Sequence, residues 1–159
     1  NLSWIAIDNV NVTGESVTTQ TTGTITDGLI NTTGADEIVV YNVTPTDDTN
    51  GCIGNVFTVS VTVESAPAAI NVTDATCSDA ALAHVLQSDI TNGVTGVTFS
   101  WIAAANGSVA GESTTTKTGG TINDVLTNTT TTNQTVVYTV TTTSTGGCVG
   151  ADYTVTVTV

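Results

Sequence analysis

The chain contains no arginine and no methionine, and its only lysine is Lys117. Fourteen acidic residues oppose that single cation, giving a formal charge of -13. Nucleic-acid binding draws affinity from cations that displace counterions from phosphate, so no nucleic-acid partner is expected. Adsorption to an anionic membrane surface fails on the same ground. Long apolar runs are also missing, which excludes a bilayer-spanning helix and with it membrane insertion of that kind. The first residues show no basic-then-apolar pattern of the signal-peptide type, so the sequence reads as a mature product or an excerpt. Histidine occurs once, as His84, and aromatic residues seven times. A carbohydrate-binding platform needs a row of exposed aromatics. Six of the seven fall into the pairs Trp4/Trp101, Tyr41/Tyr138 and Phe57/Tyr153, at positions that read as core; Phe99 is the seventh.

What remains is a narrow alphabet of 38 Thr and 23 Val. Both are β-branched and favour a pleated, half-buried surface over a helix. They are arranged in a long internal repeat, the strongest organisational signal in the chain. Residues 2–63 (LSWIAIDNVNVTGES, GTITDGLINTT, NGCIGNVFTVSVTV) match residues 99–159 (FSWIAAANGSVAGES, GTINDVLTNTT, GGCVGADYTVTVTV). The offset is 97 from Trp4/Trp101 to Tyr41/Tyr138 and 96 from Cys52/Cys148 onward.

Within each copy the strands are legible by alternation. Tyr153, Val155, Val157 and Val159 alternate with threonines, as Phe57, Val59, Val61 and Val63 alternate with Thr58, Ser60 and Thr62. That pattern describes strands with one face buried and one in water, the habit of antiparallel sheets. Further strands are predicted over 37–46 and 135–143, and over Leu2–Ile7 and Thr98–Ala103. Turn pairs such as Thr13-Gly14, Asp27-Gly28 and Asn50-Gly51 separate them, the spacing of an all-β sandwich or barrel.

Residues 64–98 have no counterpart ahead of the first copy. They open on a short Pro67-bearing junction, 64–67, continue into a plausible first strand near Ile70-Asn71-Val72, and include Asp79–Gln87, the one helix-friendly run. In this β context a strand is expected over Leu82–Ser88. The predicted domains are therefore 1–63, lacking its N-terminal strands, and 64–159, complete. A sandwich short of its first strands exposes unpaired edges, so the first module is expected to be completed by something else.

Three cysteines in such a chain suggest an exported protein with disulfides. Cys77 and Cys148 are expected to pair; three unbonded thiols are the alternative. Cys52, the equivalent of Cys148, has no partner in its own module and is expected to be unpaired or paired externally.

Taken together, the ordered motifs FSW, GTI, L.NTT, VVYTVT, GGCVG and YTVTVTV, preceded by Cys77-Ser78, resemble the PKD-like domains of Bacteroidota. The resemblance covers all of the second module and the available part of the first. One departure is the turn after the cysteine-bearing strand, where the family carries Gly-Ser and this chain reads Cys77-Ser78-Asp79. The resemblance implies tandem immunoglobulin-like antiparallel β-sandwiches strung in large surface adhesins, including gliding-motility adhesins, exported by the type IX route. It implies an extracellular, cell-surface location and a structural or adhesive role. Neighbouring repeat modules or subunits of the same fibre are then the natural partners, and a neutral Thr/Asn surface also suits surface carbohydrate.

Catalytic chemistry finds little support. Glu15/Glu112 and Asp27/Asp124 recur beside matching turns, which argues for a structural role such as an Asx-type hydrogen bond. His84 has no copy in the first module, so no triad repeats. No phosphate loop, zinc pattern or nucleophile elbow is present. No enzyme activity and no cofactor are expected. Calcium prefers oxygen ligands, and Asp47 and Asp48 near Asn50 are weak candidates; the second module has Ser144-Thr145 there. Asp74, Asp79 and Asp89 lie near the module junction. Eight Asn-x-Ser/Thr sequons occur, several by chance in so Thr-rich a chain.

Overall fold

The computed structural model describes all 159 residues. They divide into two compact units, Asn1–Ser65 and Ala66–Val159. Both are built from strands, and no α-helix occurs in either, so the fold is all-β as the Thr/Val composition requires.

In the first unit, β1 (Leu2–Ile7), β4 (Glu37–Pro45) and β5 (Phe57–Val63) form an antiparallel sheet in the order β1-β4-β5. The short β2 (Val12–Thr13) and β3 (Ile30–Asn31) pair separately. The alternation on β4 works as read: Val39, Tyr41 and Val43 are buried. Trp4 lies opposite Val43 and Ala6 opposite Tyr41, so the three-residue seam of the central strand meets the tryptophan strand.

The second unit opens with β6 (Val72–Ala75), β7 (His84–Val85) and a 3-10 turn at Leu86–Asp89. Then follow β8 (Thr98–Ala103), β9 (Val109–Ala110), β10 (Lys117–Thr118), β11 (Thr121–Ile122), β12 (Thr127–Asn128), β13 (Thr135–Thr143) and β14 (Tyr153–Thr158). The main sheet runs β10-β8-β13-β14-β6. Its pairs are antiparallel except the last, where β6 lies parallel to β14 with Val72 opposite Val155 and Ala75 opposite Thr158. Two-stranded pairs β7–β11 and β9–β12 complete the unit.

Two expectations change. The strand expected over Leu82–Ser88 shrinks to His84–Val85, because the chain turns through a left-handed Ala83 (φ 55°) and then coils into the 3-10 turn. That path points both Leu82 and Leu86 into the core, which a straight strand carrying them four residues apart would also do, but lets His84 between them reach Asp74 on β6 and Asp89 in the 3-10 turn.

The second correction concerns the cysteines. None of the three is in a disulfide. Parallel pairing carries β6 to the C-terminal end of β14, where the Thr76 amide meets the Thr158 carbonyl at 2.9 Å, and Cys77 follows. Cys148 instead sits ahead of the N-terminal end of β14, its carbonyl accepting from the Ser144 amide. Six strand residues at about 3.3 Å each separate the two ends, far beyond the ~7 Å Cα spacing that a disulfide spans.

The Thr-Gly-Glu and Ala-Gly-Glu turns need glycine for a definite reason. Gly14 and Gly111 sit at φ +95° and +93°, and a Cβ at either would run into the carbonyl oxygen of Gly28 or Val125. Gly111→Ala is expected to lower stability by about 2 kcal/mol or more, read as a drop in thermal midpoint. Mass spectrometry of the untreated protein, without reductant, is expected to contain no cross-linked Cys77–Cys148 peptide.

Candidate functional site

The recurrent acids act as clamps on the two cores. In the first unit the Tyr41 hydroxyl donates to Asp27 at 2.9 Å, and the amide and hydroxyl of Ser16 donate to the same carboxylate at 2.8 and 2.7 Å. In the second unit Tyr138 and Ser113 hold Asp124 at 3.0, 2.7 and 2.8 Å. Each tyrosine also meets its tryptophan edge-on, with centroids 5.6 Å apart for Trp4–Tyr41 and 5.7 Å for Trp101–Tyr138. Burial disfavours the Asp27 charge, but the bonds from Ser16 and Tyr41 outweigh it and hold the carboxyl below its usual range. Burial, with the adjacent carboxylate, raises both tyrosines. Glu15 and Glu112 accept the amides of Asn9 and Asn106. The expected Asx-type turn is thus replaced by a bridge between separate segments, and these carboxylates are already engaged.

The repeated Asn-Thr-Thr motif is structural too. Asn31 donates to the carbonyls of Ala35 and Val63 and accepts from the amide and hydroxyl of Thr33. Asn128 does the same with Thr132, Val159 and Thr130. Both amide groups are saturated, and both sew a loop to the last strand of the sheet.

Asp47 and Asp48, the weak calcium candidates, lie in an exposed loop. Asp47 accepts the Thr49 amide and the Asn50 side chain, each at 3.0 Å, and the Thr49 amide leads in holding its carboxyl below the usual range. Asp48 contacts the amino group of Asn1.

A cluster that sequence reasoning passed over lies in residues 66–98. His84 Nδ1 sits 2.8 Å from Asp74 on β6, and His84 Nε2 sits 3.0 Å from Asp89 in the 3-10 turn. Tyr153 on β14 donates to the same Asp89 oxygen at 3.0 Å. Burial opposes the His84 charge, but the bonds to Asp89 and Asp74 prevail and raise it above its ordinary value. Asp74, also opposed by burial, is held low chiefly by His84. With both ring nitrogens occupied by carboxylates, the imidazole is a cross-link joining β6, β7, the 3-10 turn and β14. The signal was present as Asp74, His84 and Asp89 within sixteen residues, but the single histidine was judged for catalysis alone.

This cross-link secures a layer that covers the sheet of the second unit. In the second unit, Leu82 and Leu86 cover Ile122 and Leu126, which are fully buried, and β6 closes the edge of β14, where Tyr153, Val155 and Val157 are 3% exposed or less. In the first unit the equivalent Ile25, Leu29, Val59 and Val61 are only half-buried, and Phe57, the counterpart of Tyr153, is 47% exposed. Strand β5 is the free edge of its sheet. The Asp79, Leu82 and Leu86 amides of the covering segment donate to the carbonyls of Leu126, Asp124 and Gly120; the corresponding carbonyls of the first unit, those of Leu29, Asp27 and Gly23, receive no backbone donor. Within residues 1–65 the exposed edge of β5 is the candidate surface for pairing with a further strand. Phe57, expected in the core, is on it.

Paired strands packed as Trp/Tyr-centred sandwiches define an immunoglobulin-like β module. A model of the PKD-like domain matches residues 1–67 and 74–159, one segment for each unit. The chain belongs to the PKD-like domain family. No curated protein matches it. PKD-like domains are generally extracellular, and no helix here is long and apolar enough to cross a membrane.

The His84 cross-link gives the second unit a pH signature. A raised histidine contributes stability that is complete below its unfolded value of 6.5 and is lost as pH rises through the folded value. The lowered Asp74 contributes stability that is complete above 3.8 and is lost as pH falls through its folded value. Thermal stability of the second unit should therefore peak between these limits and decline on the alkaline side. His84→Gln should flatten that alkaline decline. Asp89→Ala, which leaves a buried histidine and a buried hydroxyl short of a partner, should cost about 3 kcal/mol.

Proposed function

We propose that the chain is a structural or adhesive repeat segment of an extracellular cell-surface filament or giant adhesin, of the kind Bacteroidota export by the type IX route and use in gliding motility. The observation that carries this reading is the repetition of the module, with its Trp–Tyr–Asp–Ser clamp present in both units. Such repetition multiplies length and surface while adding no new chemistry. The acids that could serve catalysis are taken up by the clamps and the His84 cross-link, which supports a role other than catalysis. The outward faces are Thr- and Asn-rich and carry a net negative charge, suiting contact with neutral surface carbohydrate and mutual repulsion between neighbouring fibres.

A carbohydrate-binding module of a secreted enzyme is a weaker reading, since Trp4, Trp101, Tyr41 and Tyr138 are all buried. A second reading is favoured by the bare edge of β5: the chain is one protomer of a fibre in which a strand from a neighbouring module or subunit completes the first unit by β-augmentation.

Cells producing the protein should lose it to added protease without lysis, and antibodies to the second unit should decorate surface fibres in electron micrographs. Protection from external protease, with release only on lysis, would overturn the proposal.

A further inference from the structure

The two copies treat their tryptophans differently. In the first unit the Trp4 indole N–H donates to the Thr22 carbonyl at 3.0 Å and lies 3.3 Å from the Thr22 hydroxyl. Under the repeat offset of 97 the counterpart of Thr22 is Gly119. There the backbone takes a φ of +141°, a glycine conformation, and the Gly119 amide donates to the Phe99 carbonyl. Trp101 keeps the ring orientation of Trp4, edge-on to its tyrosine at the same interplanar angle of 76°. Its Nε1, however, is buried without a hydrogen-bond partner. A buried donor left unpaired is costly, which marks this N–H as one to be met by an acceptor.

The Trp101 N–H faces the loop at Gly119, as that of Trp4 faces Thr22, and both Trp101 and this loop border a cavity of about 530 Å³, a size that suits a small ligand. Three lining residues differ from their counterparts: Lys117 stands for Gln20, Gly119 for Thr22 and Asn123 for Thr26. Lys117 lies directly opposite Trp101 in the strand register. It is the only lysine among fourteen acids, yet it makes no ion pair. A Cβ at Gly119 would stand in open space, so the missing Thr22 side chain leaves room there. Asp124 also lines the cavity, but its two oxygens already accept from Ser113 and Tyr138. The unmet groups are therefore donors, one indole N–H and one ammonium.

Resting for its role on the adhesive reading above, we infer that this cavity of the second unit binds an acidic sugar, a glycan residue of the uronate class. The Lys117 ammonium and the Trp101 N–H receive the carboxylate, which only accepts hydrogen bonds and so matches two groups that only donate. The Asn123 amide and the hydroxyls of Thr118 and Thr121 meet the ring hydroxyls, which both donate and accept. An acidic peptide side chain would offer that polar wall only methylenes. The charge of -13 disfavours a polyanion, so the ligand is an isolated uronate on an otherwise neutral glycan. The first unit carries Gln20 in place of the ammonium and already satisfies its indole with Thr22, so the site belongs to the second unit.

The test is a nitrogen–proton correlation spectrum of the whole labelled chain, in which the two tryptophans give two indole signals, assigned with Trp4→Phe. Glucuronate should move the Trp101 signal saturably, in the millimolar range, and leave that of Trp4 in place. Glucose and acetate, which carry the hydroxyls and the carboxylate separately, should each bind about tenfold or more weakly. Lys117→Gln, at an exposed position and matching the residue of the first unit, should abolish the preference for glucuronate over glucose while the rest of the spectrum is unchanged. A Trp101 signal unmoved by glucuronate, or moved together with that of Trp4, overturns the site. Equal affinity for glucose, or a preference that survives Lys117→Gln, overturns the carboxylate assignment. Equal affinity for acetate overturns the sugar. Tighter binding of polygalacturonate per sugar residue overturns the isolated uronate. None of these outcomes bears on the adhesive reading, which is tested separately by surface display.

Discussion

Each sandwich depends on a buried tyrosine that cannot be left without a partner. Tyr41 and Tyr138 sit at the centre of the central strand, entirely out of solvent, and a phenol in that position must find an acceptor. The acceptor comes from a loop fourteen residues earlier, Asp27 or Asp124, which is itself fixed by a serine from another loop. One hydroxyl thus fixes the position of two loops over the sheet, and the tryptophan on the neighbouring strand packs edge-on against the same ring. The glycine turns at 14 and 111 complete the arrangement by letting those loops approach within carbonyl contact. The two units preserve this set residue for residue although their covering layers differ.

Above that shared base, the second unit adds a layer held by charge. The chain is short of cations, and its one histidine is placed where two carboxylates converge. In so acidic a protein an unpaired buried aspartate would be costly, and Asp89 is made tolerable by a donor on either side. The cross-link therefore does more than add a bond: it permits a short, irregular segment of β6, β7 and a single 3-10 turn to seal a hydrophobic edge without the length of a regular strand.

The β architecture was legible because Thr and Val alternate cleanly on the long strands, where one face is buried and the other is not. Phe57 was read as core because its partner Tyr153 is core; periodicity reports which face a side chain occupies, not whether anything covers that face. The Cys77–Cys148 pairing misled for a related reason. The pairing supposed that the early segment ends beside the loop before the last strand, whereas the parallel placement of β6 carries Cys77 to the far end of β14. The His84 cross-link was hidden because its members come from four short elements whose mutual positions depend on the left-handed Ala83 and the 3-10 turn, neither of which propensity indicates. The Asn-Thr-Thr motif was visible, but it was read as a sequon when its role is to saturate its own amide on the ends of β5 and β14.

The parallel pairing of β6 and β14 has a mechanical consequence. Tension applied between the start and the end of the second unit pulls these two adjacent strands in opposite directions along their length. Their ladder bonds are then loaded together, in shear, and cannot be peeled apart one at a time. The His84 bridge carries part of the same load sideways, from Asp74 on β6 to Asp89 and on to Tyr153 on β14. The second unit is thus arranged as a tensile link.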